Sequence, residues 1–91
     1  MKYETRFTSQ FKKDLKQAKK QQKKIDKLYE VIDKLANGEK LDDKYHDHEL
    51  AGKYKGTREC HIEPDWSLVC EIINDVLVLM LYRVGSHSNL L

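Results

Sequence analysis

Gly56-Thr57-Arg58-Glu59-Cys60-His61-Ile62-Glu63-Pro64-Asp65-Trp66 is the stretch on which the fold turns. Pro64 fixes its own φ and keeps Glu63 out of the helical region, so Glu63-Pro64-Asp65 reads as a turn between two extended runs, Thr57 to Ile62 and Ser67 to Ile73. A histidine, an acid, a tryptophan and an arginine therefore gather at a strand end and a turn tip.

Working outward, Asn74-Asp75 reads as a two-residue link from Ser67–Ile73 to a further strand, Val76–Arg83. Tight pairing sets Ile73 against Val76, Ile72 against Leu77, Cys70 against Leu79 and Leu68 against Leu81. One face is then almost wholly apolar and should receive helices. The same register places Trp66 opposite Arg83, an arrangement that a one-residue slip would remove. Val84 to Leu91 follows as a short polar tail ending in two leucines.

Upstream, Tyr3, Thr5 and Phe7 alternate with Glu4 and Arg6 at the period of a short half-buried strand. Thr8 or Ser9 offers an oxygen to cap a helix whose apolar stripe is Phe11, Leu15 and Ala18, with Lys12, Lys13, Lys16, Lys19 and Lys20 on its other faces. Gln21 to Lys24 makes a bend. Ile25, Leu28, Ile32 and Leu35 then repeat at helical spacing, with Tyr29 and Val31 alongside, until Asn37-Gly38 ends the helix. Two helices so joined form an antiparallel hairpin facing one sheet. Glu39 to Lys55 shows neither period and reads as a long ordered loop carrying His46-Asp47-His48, a kind of loop that is more often functional than accidental.

The chain of 91 residues has room for one domain with one modest core. It lacks an apolar run long enough for a membrane span and begins without a signal-peptide segment, so a cytoplasmic protein is expected, with Cys60 and Cys70 as buried, reduced thiols that touch across the Pro64 turn. The net charge of +2 conceals an asymmetry: residues 1–40 carry +6 and residues 41–91 carry −4. A basic half suits a polyanion or an acidic protein partner, and is equally compatible with a well-solvated lysine-rich helix.

His48, His61, Asp65, Arg83 and His87 supply imidazoles that titrate near neutrality, a carboxylate to orient one of them, and a cation for a phosphoryl oxygen. That set suits cleavage of RNA without a metal: one group takes the 2′-hydroxyl proton, a second protonates the departing 5′ oxygen, and Trp66 stacks on a base. Each residue also has an ordinary structural reading: a strand histidine, a loop histidine, a turn aspartate, a core tryptophan. His46-x-His48 lacks further ligands at usable spacing, so no metal or cofactor is expected.

Three elements occur together and in order: Asp47-His48-Glu49-Leu50-Ala51-Gly52, Gly56 to Trp66, and Tyr82-Arg83-Val84-Gly85-Ser86-His87. With Ser9 to Asp14 they make the whole chain resemble the YafQ branch of the RelE/ParE toxin superfamily. The resemblance implies an α+β, microbial-ribonuclease-like domain over residues 1–91: an N-terminal strand and a two-helix hairpin on one face of a twisted, mainly antiparallel sheet, with the site on the open face and the tail. It implies a ribosome-dependent endoribonuclease of a type II toxin–antitoxin pair, cutting mRNA in the ribosomal A site. His48, His61, Asp65 and His87 would handle protons, with His87 as general acid and the base left open among the other three. Arg83 would hold the phosphate, and Trp66 would support or stack on the substrate. The family pattern closes on an aromatic where this chain has Leu91, a substrate-binding position whose change bears on activity rather than fold.

The implied partners are a cognate antitoxin, as a complex with two copies of each, together with the ribosome and mRNA; no membrane is involved. The five lysines of the first helix would grip ribosomal RNA or the antitoxin. Two rivals remain: a ParE-like inhibitor of DNA gyrase on the same scaffold, which needs no histidine set, and a non-catalytic RNA-binding module, which leaves Asp65-Trp66 and Arg83-x-x-x-His87 unexplained.

Overall fold

The computed structural model describes residues 1–90, apart from the side chain of Lys53. In chain order the elements are β1 (Glu4–Phe7), α1 (Ser9–Lys20), α2 (Ile25–Ala36), β2 (His48–Glu49), β3 (Arg58–Glu63), β4 (Trp66–Ile73), β5 (Val78–Gly85) and a one-turn helix α3 (His87–Leu90). The sheet order is β1-β5-β4-β3-β2, with β1 parallel to β5 and every other pair antiparallel.

Both long helices start and stop where the side chains dictate. The Thr8 hydroxyl accepts the Phe11 N–H at 3.0 Å, which caps α1. That helix ends through Gln22 in the left-handed region (φ 57), the Lys23 N–H reaching the Ala18 carbonyl at 3.0 Å. Gly38 (φ 79) closes α2 in the same way, its neighbour Glu39 donating to the Lys34 carbonyl at 2.9 Å.

Phe11 and Ala18 of α1, and Leu28, Val31, Ile32, Leu35 and Ala36 of α2, share one buried cluster with Cys60, Ile62, Trp66, Leu68, Cys70, Leu79, Leu81 and Val84 of the sheet. The helices therefore cover the face that the even-numbered residues of β3 and β4 present. Glu59 and His61, which alternate with Cys60 and Ile62, lie on the opposite face. Tyr29, read as lying alongside the stripe, is 44 % exposed, and Phe7 at the end of β1 is 50 % exposed.

The β4–β5 register departs from the tight hairpin. Asn74–Val76 forms a 3-10 turn and Leu77 takes a left-handed conformation (φ 53), so pairing begins at Ile73–Val78 and sets Ile72 on Leu79 and Cys70 on Leu81. This is a two-residue shift from the expected pairs. It leaves the side chains from Val78 to Leu81 on their expected faces, so the alternating pattern could not fix it. The wider turn is anchored by N-terminal contacts: the Tyr3 hydroxyl donates to Asn74 Oδ1 at 2.9 Å and the Glu4 N–H to the Leu77 carbonyl at 2.8 Å.

A bulge then follows, because Val69 pairs with Arg83 while Cys70 pairs with Leu81 and Tyr82 is the extra residue. The pairing of Trp66 with Arg83 is thus not formed: Ser67 meets Gly85, and Trp66 meets Glu63 of β3.

Two further readings are corrected. The stretch read as loop, Glu39 to Lys55, holds 3-10 turns at Asp43–Tyr45 and Gly52–Tyr54 with β2 between them, elements too short to show a period. The polar tail is α3, whose Leu90 is buried and whose carbonyl accepts the Tyr54 hydroxyl at 2.9 Å. Cys60 and Cys70 are buried free thiols, as expected. Their mutual hydrogen bond and burial push the Cys60 thiol far up, so it stays protonated.

Candidate functional site

The site is built outward from Glu59, a residue with no exposed surface near the start of β3. His61 stands two residues along, on the same face. The short edge strand β2 pairs His48 directly with Glu59, and Ser67 of β4 pairs with His61. α3 begins at His87, whose Nδ1 lies 2.5 Å from Glu59 Oε2. The other carboxylate oxygen, Oε1, is 3.3 Å from His48 Nε2 and 3.7 Å from His61 Nε2. Oε1 is buried without a hydrogen-bond partner among the described residues.

The imidazoles are layered. His61 stacks on His48 at 6.1 Å between ring centres and on His87 at 5.6 Å, while His46 meets its edge at 5.9 Å. His46 holds a left-handed backbone (φ 46), and its carbonyl accepts a 2.6 Å hydrogen bond from His48 Nδ1. The turn that carries both is pinned to β3 by Asp47, which takes the Arg58 guanidinium through two hydrogen bonds. Ser67 Oγ lies 3.3 Å from His61 Nδ1.

A carboxylate so buried survives as an anion only if it is paired. Burial alone would raise the Glu59 pKa; hydrogen bonds from His87 and Ser67, with the charges of His61 and His87, outweigh burial and hold it below the ordinary glutamate value. His48, Glu59 and His61 could also close on one cation, their ligand atoms lying within 4.8 Å of one another. Glu59, outside the His46-x-His48 motif, is what completes that set.

The other expected residues form a second group. Arg83 is held by Asp14 of α1, Nε to Oδ2 at 2.9 Å and Nη2 to Oδ1 at 3.1 Å. The Val84 N–H also donates to Asp14 Oδ2 at 3.1 Å, so this one carboxylate secures the α1 side of β5. Asp65 at the β3–β4 turn is exposed and lines a groove with Arg83 and Trp66, without a hydrogen bond or ion pair to the imidazoles among the described residues. Trp66 is 2 % exposed, so its ring supports the site from beneath and has no free face on which a base could stack. The groove and the imidazoles are joined by α3, which gives His87 to one and Asn89 to the other.

Lys12, Lys13, Lys16, Lys19 and Lys20 are exposed on α1 and line neither region. Leu91 lies outside the described residues. Glu59 was missed in the sequence, while Asp14 and His46 were named only as parts of the Ser9–Asp14 and His46-x-His48 motifs and given no site role. The Glu59-x-His61 alternation was the available signal for the first, and the roles of the other two follow only from the tertiary fold.

Comparison with known proteins identifies the family. Residues 3–91 match the family model described as bacterial toxin of type II toxin–antitoxin system, YafQ. The chain is 35 % identical to the mRNA interferase toxin YafQ of Escherichia coli K12 over 88 residues, 96 % of this chain and 94 % of that protein. Among solved structures, the crystal structure of the E. coli DinJ–YafQ complex superposes with a TM-score of 0.88 at 35 % identity, covering 97 % of both chains. A metal-bound toxin from Helicobacter pylori superposes with a TM-score of 0.92 at 41 % identity over the full length of both. This chain belongs to the YafQ family of bacterial toxins of type II toxin–antitoxin systems.

Proposed function

We propose that this protein is an mRNA interferase: a ribosome-dependent endoribonuclease that cuts mRNA in the ribosomal A site and so stops translation. The observation that carries the reading is the 2.5 Å contact between Glu59 Oε2 and His87 Nδ1, with the His61 ring stacked 5.6 Å from His87. A carboxylate on Nδ1 fixes the proton there, which leaves Nε2 of His87, a half-exposed side chain, as the nitrogen that meets substrate.

His87 is then the general acid, and the geometry favours His61 as the base. His61 stacks directly on the acid His87 at 5.6 Å, while His48 Nδ1 donates to the His46 carbonyl. His61 Nε2, at 3.7 Å from Glu59, is beyond hydrogen-bond reach and keeps its lone pair for a proton. His61 takes the 2′-hydroxyl proton, the 2′ oxygen attacks the adjacent phosphorus, the bond to the 5′ oxygen breaks, and His87, entering the step protonated on both nitrogens, gives its Nε2 proton to that oxygen. The products are a 2′,3′-cyclic phosphate and a 5′-hydroxyl.

Arg83, with Nε and Nη2 on Asp14, offers its remaining guanidinium N–H groups to the phosphoryl oxygens, and Asp65 faces the same substrate from the turn tip. Trp66 supports this wall from the core, Leu91 contacts the substrate, and the α1 lysines meet ribosomal RNA. A cognate antitoxin covers the basic surface in a complex with two copies of each chain, and both proteins work in the cytoplasm beside the ribosome. The E. coli DinJ–YafQ complex supports such a partner. A gyrase inhibitor or a passive RNA-binding module has no use for a buried carboxylate ringed by imidazoles.

Primer extension on a defined mRNA in a purified translation system tests the reading. Discrete in-frame cuts are expected that require ribosomes and vanish in His87→Ala; an intact message with the wild-type protein would refute it.

A further inference from the structure

Beside the imidazole cluster a groove of about 380 Å³ runs between α1 and the end of the β4–β5 pair. Its size falls within the roughly 300–1,000 Å³ of small-molecule sites. Trp66, Ala18 and Leu90 lie buried beneath it, so its floor rests on the core and offers no aromatic face. Its charges cancel, Asp14 and Asp65 against Arg83 and Lys23, whereas sites for bare phosphate gather net positive charge. The remaining polar groups on its wall include three neutral amides, Gln17, Gln21 and Asn89, whose side chains make no hydrogen bond among the described residues.

A side-chain amide carries donor and acceptor side by side, the pattern presented by the edge of a nucleobase. Free amides around a groove without net charge are the chemistry that reads the edge of an unstacked base of single-stranded RNA. Asn89 lies one residue beyond Ser88, which follows His87 in α3, so a base in this groove belongs to a nucleotide next to the bond held at His87. We infer that the groove seats the base of one nucleotide adjoining the cleaved bond and that Gln17, Gln21 and Asn89 read its edge, setting which codons are cut. The sugar–phosphate chain passes outside, along Arg83. This inference rests on the ribonuclease reading.

The test is a message library randomised around one codon, translated in the purified system, with cut ends sequenced for the wild type and for Gln17→Ala, Gln21→Ala and Asn89→Ala. The wild type should discriminate among bases at one position beside the cut. At least one variant should reduce that discrimination about tenfold, the worth of one paired amide–base contact, whatever happens to its total rate. Cleavage by all three variants with the wild-type base profile would overturn the inference while leaving the nuclease intact. A wild type that cuts no message would overturn the underlying reading instead, and the two failures are told apart in the wild-type lane. Thermal unfolding of each variant guards against loss of fold, and a 2′-O-methyl RNA oligonucleotide, which cannot react, provides a second readout: it should shift the Asn89 and Gln21 side-chain amide resonances, and unshifted amides at saturation would count against the inference.

Discussion

Glu59 decides the character of the site because it has no water to turn to. One oxygen is satisfied by His87 and the other waits within 3.3 to 3.7 Å of two further imidazoles, so the carboxylate both charges and orients the cluster. Glu59→Gln keeps the shape and removes the charge. Its kcat in single-turnover cleavage on programmed ribosomes should fall about 10²-fold or more, comparable to the loss of an acid or base, with KM little changed. A Glu59→Gln protein of wild-type kcat would remove the carboxylate from the mechanism. His48→Gln should cost less than His61→Ala, since it is His61 that stacks on the acid His87. The three histidines were legible in the sequence through family-like motifs. Glu59 was not, because an acid alternating with a histidine on a strand looks the same whether the face is solvated or sealed; only β2 and α3 closing over it make the difference.

Between elements, the decisive tie is Asp14 of α1 to Arg83 and Val84 of β5. Burial alone would raise the Asp14 pKa, but hydrogen bonds from Arg83, Gln10 and the Val84 N–H, with the Arg83 charge, hold it below the ordinary value. A depressed folded pKa means stability that is complete above the unfolded aspartate value, about 4, and lost as pH falls through the lower folded value. Urea unfolding should therefore show the wild type weakening in that acid window. Asp14→Asn should be less stable at neutral pH by about 2 kcal/mol and lack that part of the acid dependence; equal pH slopes for the two proteins would contradict this role.

β2 and β3 together make the possible cation set His48, Glu59 and His61. Excess Zn²⁺ is expected to slow cleavage by occupying the lone pairs that move protons, and EDTA to restore it; an undiminished rate at saturating metal would contradict proton transfer at these residues.

Most of the element order was readable from periodicity, caps and the Pro64 turn. The β4–β5 register was not, because a two-residue slide preserves both faces and the bulge at Tyr82, whose carbonyl accepts the Thr8 hydroxyl at 2.8 Å, is a tertiary feature. That slide also undid the pairing of Trp66 with Arg83, and left Trp66 as core and Arg83 as the partner of Asp14.

At the scale of the molecule, the helices fill one face of the sheet and leave the other to the imidazoles, while the α1 lysines form an exposed basic flank. Changing Lys12, Lys13, Lys16, Lys19 and Lys20 together to Gln should weaken ribosome binding and flatten its dependence on salt, since exposed charge acts through screened, long-range attraction. Unchanged binding and salt slope would assign those lysines to solvation alone. The charge imbalance between the halves of the chain was plain in the sequence, but not that the lysines stand apart from the site.

The central claim, that His61 and His87 on their buried carboxylate exchange protons with RNA, is tested most directly by the chemistry of the cut ends. Fragments released on the ribosome should carry a 2′,3′-cyclic phosphate, or the 3′-phosphate it hydrolyses to, facing a 5′-hydroxyl. Fragments bearing a 3′-hydroxyl and a 5′-phosphate would show that water, and not the 2′-hydroxyl, attacks, and would contradict the account.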